Sequence, residues 1–398
     1  MPALPPIRVA HLADTHLGYR ALPLLDPETE RNQRSVDIER AFTAAIDDIL
    51  ERRPDLVIHA GDVFHHTRPT WPALRVFVQQ MRRLEKAGIP VVVIAGNHDV
   101  PRVRAASTVF SLLATALDDV RFVAGYEPER IGYRDLDLVV TAIPHGAVSL
   151  DAAGPAAHPA PGHRNILVAH GTVPGMADVM HGEHGEEDIG DTLLDTDFDY
   201  IALGHYHGFH RVRDNAWYSG ATERTGWGEE AATPGYAMLT FAAGDNRPAV
   251  EHLPMPVRPM HTLAPLDADS LSPREIATRV GERLARIADP TAMARIDLRN
   301  TTRPVRREVE AIVRREQAGV VWHVAITMPN DVVAFLGERP TAVSGSIDPL
   351  ALFDAFLAER VDGGHFDRRF ADAFRDRGRT ALAQALHDEL QRSAEAGE

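Results

Sequence analysis

The sequence predicts an α/β protein built on a largely parallel sheet, and two observations carry that reading. Short apolar runs alternate with helical periodicities through the first hundred residues. The runs are also continuously apolar, as expected for strands covered on both faces. "IRVAHLAD" (7–14) reads as the first strand. Ile38, Phe42, Ile46 and Ile49 then recur at spacings of four, four and three, marking one face of a helix over 36–50. "DLVIHAGD" (55–62) is the second strand. Trp71, Leu74, Phe77, Met81 and Leu84 mark a second helix over 70–87, closed by Gly88. "PVVVIAG" (90–96) is the third strand, and the series implies right-handed βαβ units.

The second half changes rhythm. "LDLVVTAIP" (136–144), "NILVAH" (165–170), "YIALGH" (200–205), "AWYSG" (216–220) and "YAMLTFA" (236–242) are strands with little helix between them. "DAAGPAAHPAPGH" (151–163) has no core pattern and reads as a connector. After "MPVRPM" (255–260) a smaller α/β unit follows, with helix 273–287, strand 293–299, helix 305–316 and strand 320–328. From Asp348 the pattern is helical.

Length and composition bound the function. A chain of 398 residues suggests two or three domains, and 44% apolar with 25% charged residues is globular. No basic-plus-apolar leader and no membrane-length apolar run is visible, so a soluble, cytoplasmic protein is expected. With no cysteine, disulfides, thiolate metal sites and cysteine nucleophiles are excluded. The net charge of −15 gives no general attraction for nucleic acid, yet charge is uneven. Residues 181–200 hold eight acids and no Lys or Arg, whereas 271–320 hold eleven Arg against seven acids. Each stretch reads either as solvated surface or as part of a binding face.

The strand ends hold the chemistry. "HLADTHLG" supplies Asp14 and His16; "HAGDVFHHTRP" supplies Asp62, His65 and His66; "AGNHD" supplies Asn97, His98 and Asp99. "VAHG" adds His170, and "LGHYH" adds His205 and His207. Ligands bind beyond the carboxyl ends of strands in open α/β sheets, so these residues have one meeting place. One strand-end His is usually just a satisfied polar residue, but five such clusters are hard to explain as caps and turns. Two carboxylates, an amide oxygen and four imidazoles form an oxygen/nitrogen donor set that suits one or two Mn2+, Fe or Zn2+ ions. Seven donors exceed the needs of one four-coordinate zinc, and two close metals sharing a carboxylate can clamp a phosphate for in-line attack.

The ordered set D-x-H, G-D, G-N-H-D, H-G and G-H-x-H resembles the calcineurin-like metallophosphoesterase superfamily over residues 7–207. "HLADTHLGYR", "GDVFHHTRPT", "GNHDVPR" and above all "YSGATERTGWGEE" (218–230) resemble its SbcD group of DNA-repair nucleases. The resemblance implies a two-sheet core flanked by helices (1–258), a small α/β capping domain (261–330) and a C-terminal helical segment (345–398) that binds an SMC-like ATPase. It also implies a homodimer through helices near 70–117. Carried over by position, Asp14, His16 and His207 would hold one divalent metal, most simply Mn2+. Asn97, His170 and His205 would hold the other, and Asp62 would bridge them. His98 would contact the scissile phosphate of DNA, His65 would contact it too, and Asp99 would orient His98. His66 is a neighbour without an implied role.

Several features stay open on sequence alone. His181 and His184 are either extra ligands or surface residues. A DNA track could run over Arg102 and Arg104, or over Arg303, Arg306, Arg307, Arg314 and Arg315; alternatively the latter pair with Glu308, Glu310 and Glu316. Leu350, Phe353, Leu357, Phe366, Phe370 and Phe374 form either a core stripe or a partner-binding one. Besides a nuclease working with an ATPase, two functions are compatible: a phosphoesterase for small esters, and a scaffold that binds DNA ends. The capping unit argues against the first and the full ligand set against the second.

Overall fold

The computed structural model describes residues 4–100, 108–148, 157–173 and 189–328, with 353–354, 357–358, 374–375 and 377–379. The chain divides into two compact units, Met1–Met328 and Pro329–Glu398. The first begins β1 (Ile7–Leu12), α1 (Gln33–Arg52), β2 (Leu56–His59), α2 (Trp71–Lys86), β3 (Val91–Ile94), α3 (Val109–Leu113) and β4 (Val120–Val123). It continues β5 (Glu129–Tyr133), β6 (Leu138–Ile143), α4 (His145–Val148), β7 (Arg164–His170), α5 (Asp191–Leu194) and β8 (Tyr200–Gly204). Then come β9 (His210–Arg211), β10 (Ala216–Tyr218), β11 (Gly235–Phe241) and β12 (Ala249–Pro254). The remainder is β13 (Met260–Asp267), α6 (Pro273–Ile287), β14 (Met293–Arg299), α7 (Arg303–Glu316) and β15 (His323–Thr327).

Two six-stranded sheets result, ordered β12-β11-β1-β2-β3-β4 and β5-β6-β7-β8-β10-β9. β1 to β4 pair in parallel, as do β6, β7, β8 and β10, while β11, β12, β5 and β9 are antiparallel additions. α1 and α2 cover one face of the first sheet, where Phe42 and Ile46 meet Phe77 and Met81. The sequence pattern predicted strands covered on both faces, and the structure agrees. The second face packs on the other sheet, Val9, Ile58 and Val92 meeting Val140, Ile166 and Val168. The second half of this unit brings few helices, so its own apolar strands supply the cover. Its outer face is closed by Phe198, Leu193 and Ile189 against Leu167, Ile201 and Tyr218.

The third sheet, β13-β14-β15, is parallel throughout. α6 and α7 pack on it through Val280, Leu284, Val309 and Val313 against Ile296 and Leu298. The Ser272 hydroxyl accepts the Glu275 N–H and the Glu275 carboxylate accepts the Ser272 N–H, a capping box that starts α6. A small ionic clamp fastens this sheet to the core. Arg258 reaches back to Asp37 of α1 with Nε at 2.7 Å and Nη2 at 2.8 Å, and its guanidinium lies 4.2 Å from the Trp322 ring centre. Arg34 takes the same Asp37 at 2.7 Å, and Glu223 accepts from Arg34 Nη2 at 3.4 Å and the Arg258 N–H at 3.2 Å. Among the described residues, no helix is long and apolar enough to cross a membrane.

In the second unit the described residues are helical, with Phe353 and Phe374 rings 5.9 Å apart and Asp354 paired with Arg379. Leu350, Phe366 and Phe370 lie outside the described residues.

The two large sheets come close together where the ligand-bearing strands end, and glycines permit it. A Cβ on Gly204 would lie 2.0 Å from the Ala60 carbonyl oxygen and 2.9 Å from His170 Nδ1. Neither neighbour is the free end of a flexible side chain, so Gly204→Ala must push the sheets apart. A loss of about 1–3 kcal/mol is expected, read as a lower urea midpoint of the metal-free protein at unchanged slope. An unchanged midpoint would mean that the seam tolerates a methyl group.

Candidate metal centre

Each strand end delivers its side chains by a short loop anchored in the core. After β1, Asp14 N–H donates to Gly61 O at 3.0 Å and His16 N–H to Asp62 O at 3.0 Å, so the first two ligand loops are stitched together. Val63 and Phe64, fully buried, anchor the loop after β2 and leave Asp62 and His65 facing the site. Asp14, His16, Asp62 and His205 all have positive φ, at 53°, 42°, 53° and 107°. Such backbone is disfavoured by non-glycine residues and costs about 1–3 kcal/mol each where the surroundings enforce it. Strain is thus concentrated at four of the seven expected ligands.

The seven converge. Potential ligand atoms of Asp14, His16 and His207 lie within 4.8 Å of one another, as do those of Asp62, His170 and His205. His16 Nε2 and His207 Nε2 are 2.9 Å apart. On the other side Asn97 Oδ1 is 2.9 Å from His170 Nε2 and 3.1 Å from His205 Nδ1. Asp62 stands between the groups: Oδ1 is 3.5 Å from His170 Nε2, while Oδ2 is 3.7 Å from His16 Nε2. Both Asp14 oxygens accept the His205 N–H at 3.0 Å, tying the first sheet to the second.

Backbone and carboxylate acceptors fix how the imidazoles face. His170 Nδ1 donates to Ala60 O at 2.8 Å and His98 Nδ1 to His65 O at 2.9 Å, so that Nε2 of each is the nitrogen turned toward Asp62. The His65 and His98 rings stack with centroids 5.1 Å apart, beside His16. Burial and mutual charge shift the titration of these groups in opposite directions. Burial works to raise the Asp62 carboxyl, but His170, His16 and His98 overcome it and hold the group well below the usual carboxylate range. Burial raises Asp14 to about 6, even with His170 and His207 nearby. Burial, reinforced by His207, pushes His16 well below the usual imidazole range. Burial would lower His170 too, but Asp62 and Asp14 reverse it and lift this ring to about 9.

Asp99 is bonded to backbone groups of two ligand loops. Its carboxylate accepts the backbone N–H groups of Val63, Phe64 and Gly96 at 3.1, 3.0 and 3.1 Å, and does not bond the His98 ring. It therefore locks the Asp62 loop to the Asn97 loop; burial, then Asp62, raises it to about 7. His66 is exposed. Arg102, Arg104, His181 and His184 lie outside the described residues. On α7, Arg306 is taken up by Glu310 and the Ile326 carbonyl and Arg315 by Glu316, whereas Arg307 and Arg314 are exposed.

Sequence reasoning missed three residues around the centre. Glu229 accepts from His207 Nδ1 at 2.8 Å; Thr225 donates its hydroxyl to Glu229 at 2.6 Å; and Tyr19 packs edge-on to His65, 4.9 Å between ring centres. Thr225 and Glu229 lie inside "YSGATERTGWGEE", so the motif was the signal, but spacing alone could not say what they touch.

A family model described as calcineurin-like phosphoesterase matches residues 7–209. Among curated proteins, the DNA double-strand break repair protein Mre11 of Haloferax volcanii is 32% identical over 242 residues, 59% of this chain and 49% of that protein. Its namesake from Aeropyrum pernix is 29% identical over 277 residues, 64% of this chain and 63% of that one. The one from Methanocaldococcus jannaschii reaches 44% over 92 residues, 23% of each. The match spans less than two thirds of the length of each of these relatives.

The donor set fits divalent ions, and His170 gives the fit a pH signature. Its raised pKa stabilises the metal-free fold fully below about 6.5, and that contribution is lost as pH rises through about 9. A metal ligand must be neutral, so each ion bound by His170 below pH 9 displaces a proton. Mn2+ affinity should rise about tenfold per unit from pH 7 to 9 and then flatten. Calorimetric titration in buffers of different ionisation enthalpy would count the proton; affinity independent of pH would mean that His170 is already neutral.

Proposed function

The chain belongs to the calcineurin-like phosphoesterase family, and from that premise we propose that it is a metal-dependent nuclease hydrolysing phosphodiester bonds in DNA. The observation that carries the reading is Asp62, whose two oxygens face two separate donor groups. In this reading Asp14, His16 and His207 hold one ion and Asn97, His170 and His205 the other, with Asp62 between them; the sulfur-free set suits Mn2+. When bound, such a pair lowers the pKa of water and neutralises charge on a phosphate.

The chain's own groups then do three things. The Ala60 carbonyl keeps the His170 proton on Nδ1, so Nε2 faces the centre. The His65 carbonyl does the same for His98. A second proton on His98 Nε2, 4.0 Å from Asp62 Oδ2, is what that ring offers to the leaving oxygen of the scissile phosphate. His65, stacked beside it, lines the same approach.

DNA rather than a small ester is favoured by the relatives, whose names place them in double-strand break repair. The clamp of Arg258, Asp37 and Glu223 supports it, because it fastens an added three-stranded sheet beside the core that a small ester would not require. Residues 345–398 would bind an SMC-like ATPase. A homodimer through α2 and α3 is supported by Trp71 and Leu112, which are 84% and 62% exposed. A soluble, cytoplasmic protein fits this role.

The test compares labelled linear double-stranded DNA with bis-p-nitrophenyl phosphate in Mn2+, for wild type and His98→Ala. The variant should keep both metals and lose about 100- to 10,000-fold in DNA cleavage, the scale of one acid–base group. Full activity in the metal-loaded variant would end the proposed role of His98. Cleavage of the small diester alone would make the protein a small-molecule phosphodiesterase.

Truncation after Val343 should leave hydrolysis intact and abolish association with the ATPase. Continued co-purification would put that contact elsewhere.

A further inference from the structure

His207 is the last of the expected ligands along the chain, and it sits on a loop rather than in a strand. A partner from a later segment holds its ring. The constraint comes from residues 224–230, which fold into a closed strap. Glu229 Oε2 accepts the Thr225 N–H at 2.7 Å, and its Oε1 accepts the Thr225 hydroxyl at 2.6 Å. Arg224 Nε donates to the Glu229 carbonyl at 3.1 Å, and its Nη2 to the Ala232 carbonyl at 2.7 Å. Tyr19 OH donates to the Thr225 carbonyl. The Glu229 carboxylate is thereby held rigidly, and its Oε1 is aimed at His207 Nδ1 from 2.8 Å. His170 achieves the same orientation through a neutral backbone carbonyl. His207 alone among these two is held by a charge.

We propose that Glu229 is a positioning residue for the metal centre: it fixes His207 with its proton on Nδ1, so that Nε2 is presented to the ion shared with Asp14 and His16. This rests on the ligand assignment of the proposed function. A carboxylate partner makes an imidazole a stronger donor as well as a correctly turned one, and losing such a partner typically costs about 10- to 100-fold in metal affinity. The effect should fall on one ion only, because the Asn97, His170 and His205 group has no contact with Glu229 among its bonds. The neighbouring Glu230 accepts the Thr262 N–H of β13 at 2.7 Å, so the strap that orients His207 is also fastened to the third sheet.

The experiment titrates Mn2+ into the metal-free full chain by calorimetry, for wild type, His207→Ala, Glu229→Ala and Glu229→Gln. Electron paramagnetic resonance then distinguishes a coupled Mn2+ pair from a single ion. Glu229→Ala should weaken one of two sites by about 10- to 100-fold and convert the pair signal to a single-ion signal at limiting Mn2+. Glu229→Gln keeps a neutral acceptor for His207 and should recover part of that loss. Thermal melting of the metal-free variants checks the fold. Two wild-type affinities in Glu229→Ala would overturn the proposal, and so would equal weakening of both sites together with a lowered melting temperature, which marks a purely structural role. If His207→Ala also binds two ions normally, the ligand assignment itself fails; if only His207→Ala loses one, Glu229 alone is refuted.

Discussion

A buried carboxylate at the meeting of two sheets governs this structure. Asp62 is 2% exposed, and an unpaired charge at such a position would be costly. Imidazoles from both sheets gather round it, and the main-chain N–H of His98 donates to Oδ1 at 2.9 Å. Its loop is in turn gripped by Asp99 through Val63 and Phe64. Close approach of the sheets follows from the same requirement, because His170 can reach Asp62 only if Gly204 and Gly61 leave room for its ring. Charge, glycine placement and strained backbone at Asp14, His16 and His205 are separate features of the sequence that satisfy one demand.

Much of this was legible in the sequence, for an identifiable reason. Buried strands such as Val91–Ile94 are continuously apolar, and the polar residues that follow them stand out by contrast. Helices α1, α2 and α6 are amphipathic with clear ends, so they too were read closely. Edge strands escaped: β5 alternates between partly buried and exposed residues, and β12 buries only Leu253, so neither carries a continuous apolar signal. A continuously apolar strand records that both faces are buried but not by what, and the two-sheet core came from the resemblance rather than from periodicity. Asp99 was read as orienting His98, while its carboxylate holds the backbone N–H groups of Val63, Phe64 and Gly96. Adjacency to His98 suggested a contact, but a side chain at a loop turn can point inward while its neighbour points out. Glu229 and His207 are 22 residues apart, and no periodicity connects them.

The ionic clamp around Asp37 shows how the motif "ATERTGWGEE" acts. Glu223 and Arg224 lie among core, strap and third sheet, bonded to Arg34, Arg258 and the Ala232 carbonyl. Buried ion pairs contribute little net stability relative to apolar packing, but removing one partner is severe. Such a network therefore defines a unique docking of the small sheet more than it strengthens it. The one arginine of the motif, Arg224, is spent on structure, donating to the carbonyls of Glu229, Arg258 and Ala232.

The bond from the His205 N–H to Asp14 joins residues 191 positions apart, and His207 to His16 spans the same separation. No early, local piece of chain can contain a complete half of the centre. Loop-closure entropy must be met, and both sheets formed and docked, before any ion finds its full set of donors. A complete donor set for a divalent ion would therefore exist only once both sheets are in place, and an ion bound there would reinforce the folded chain by mass action.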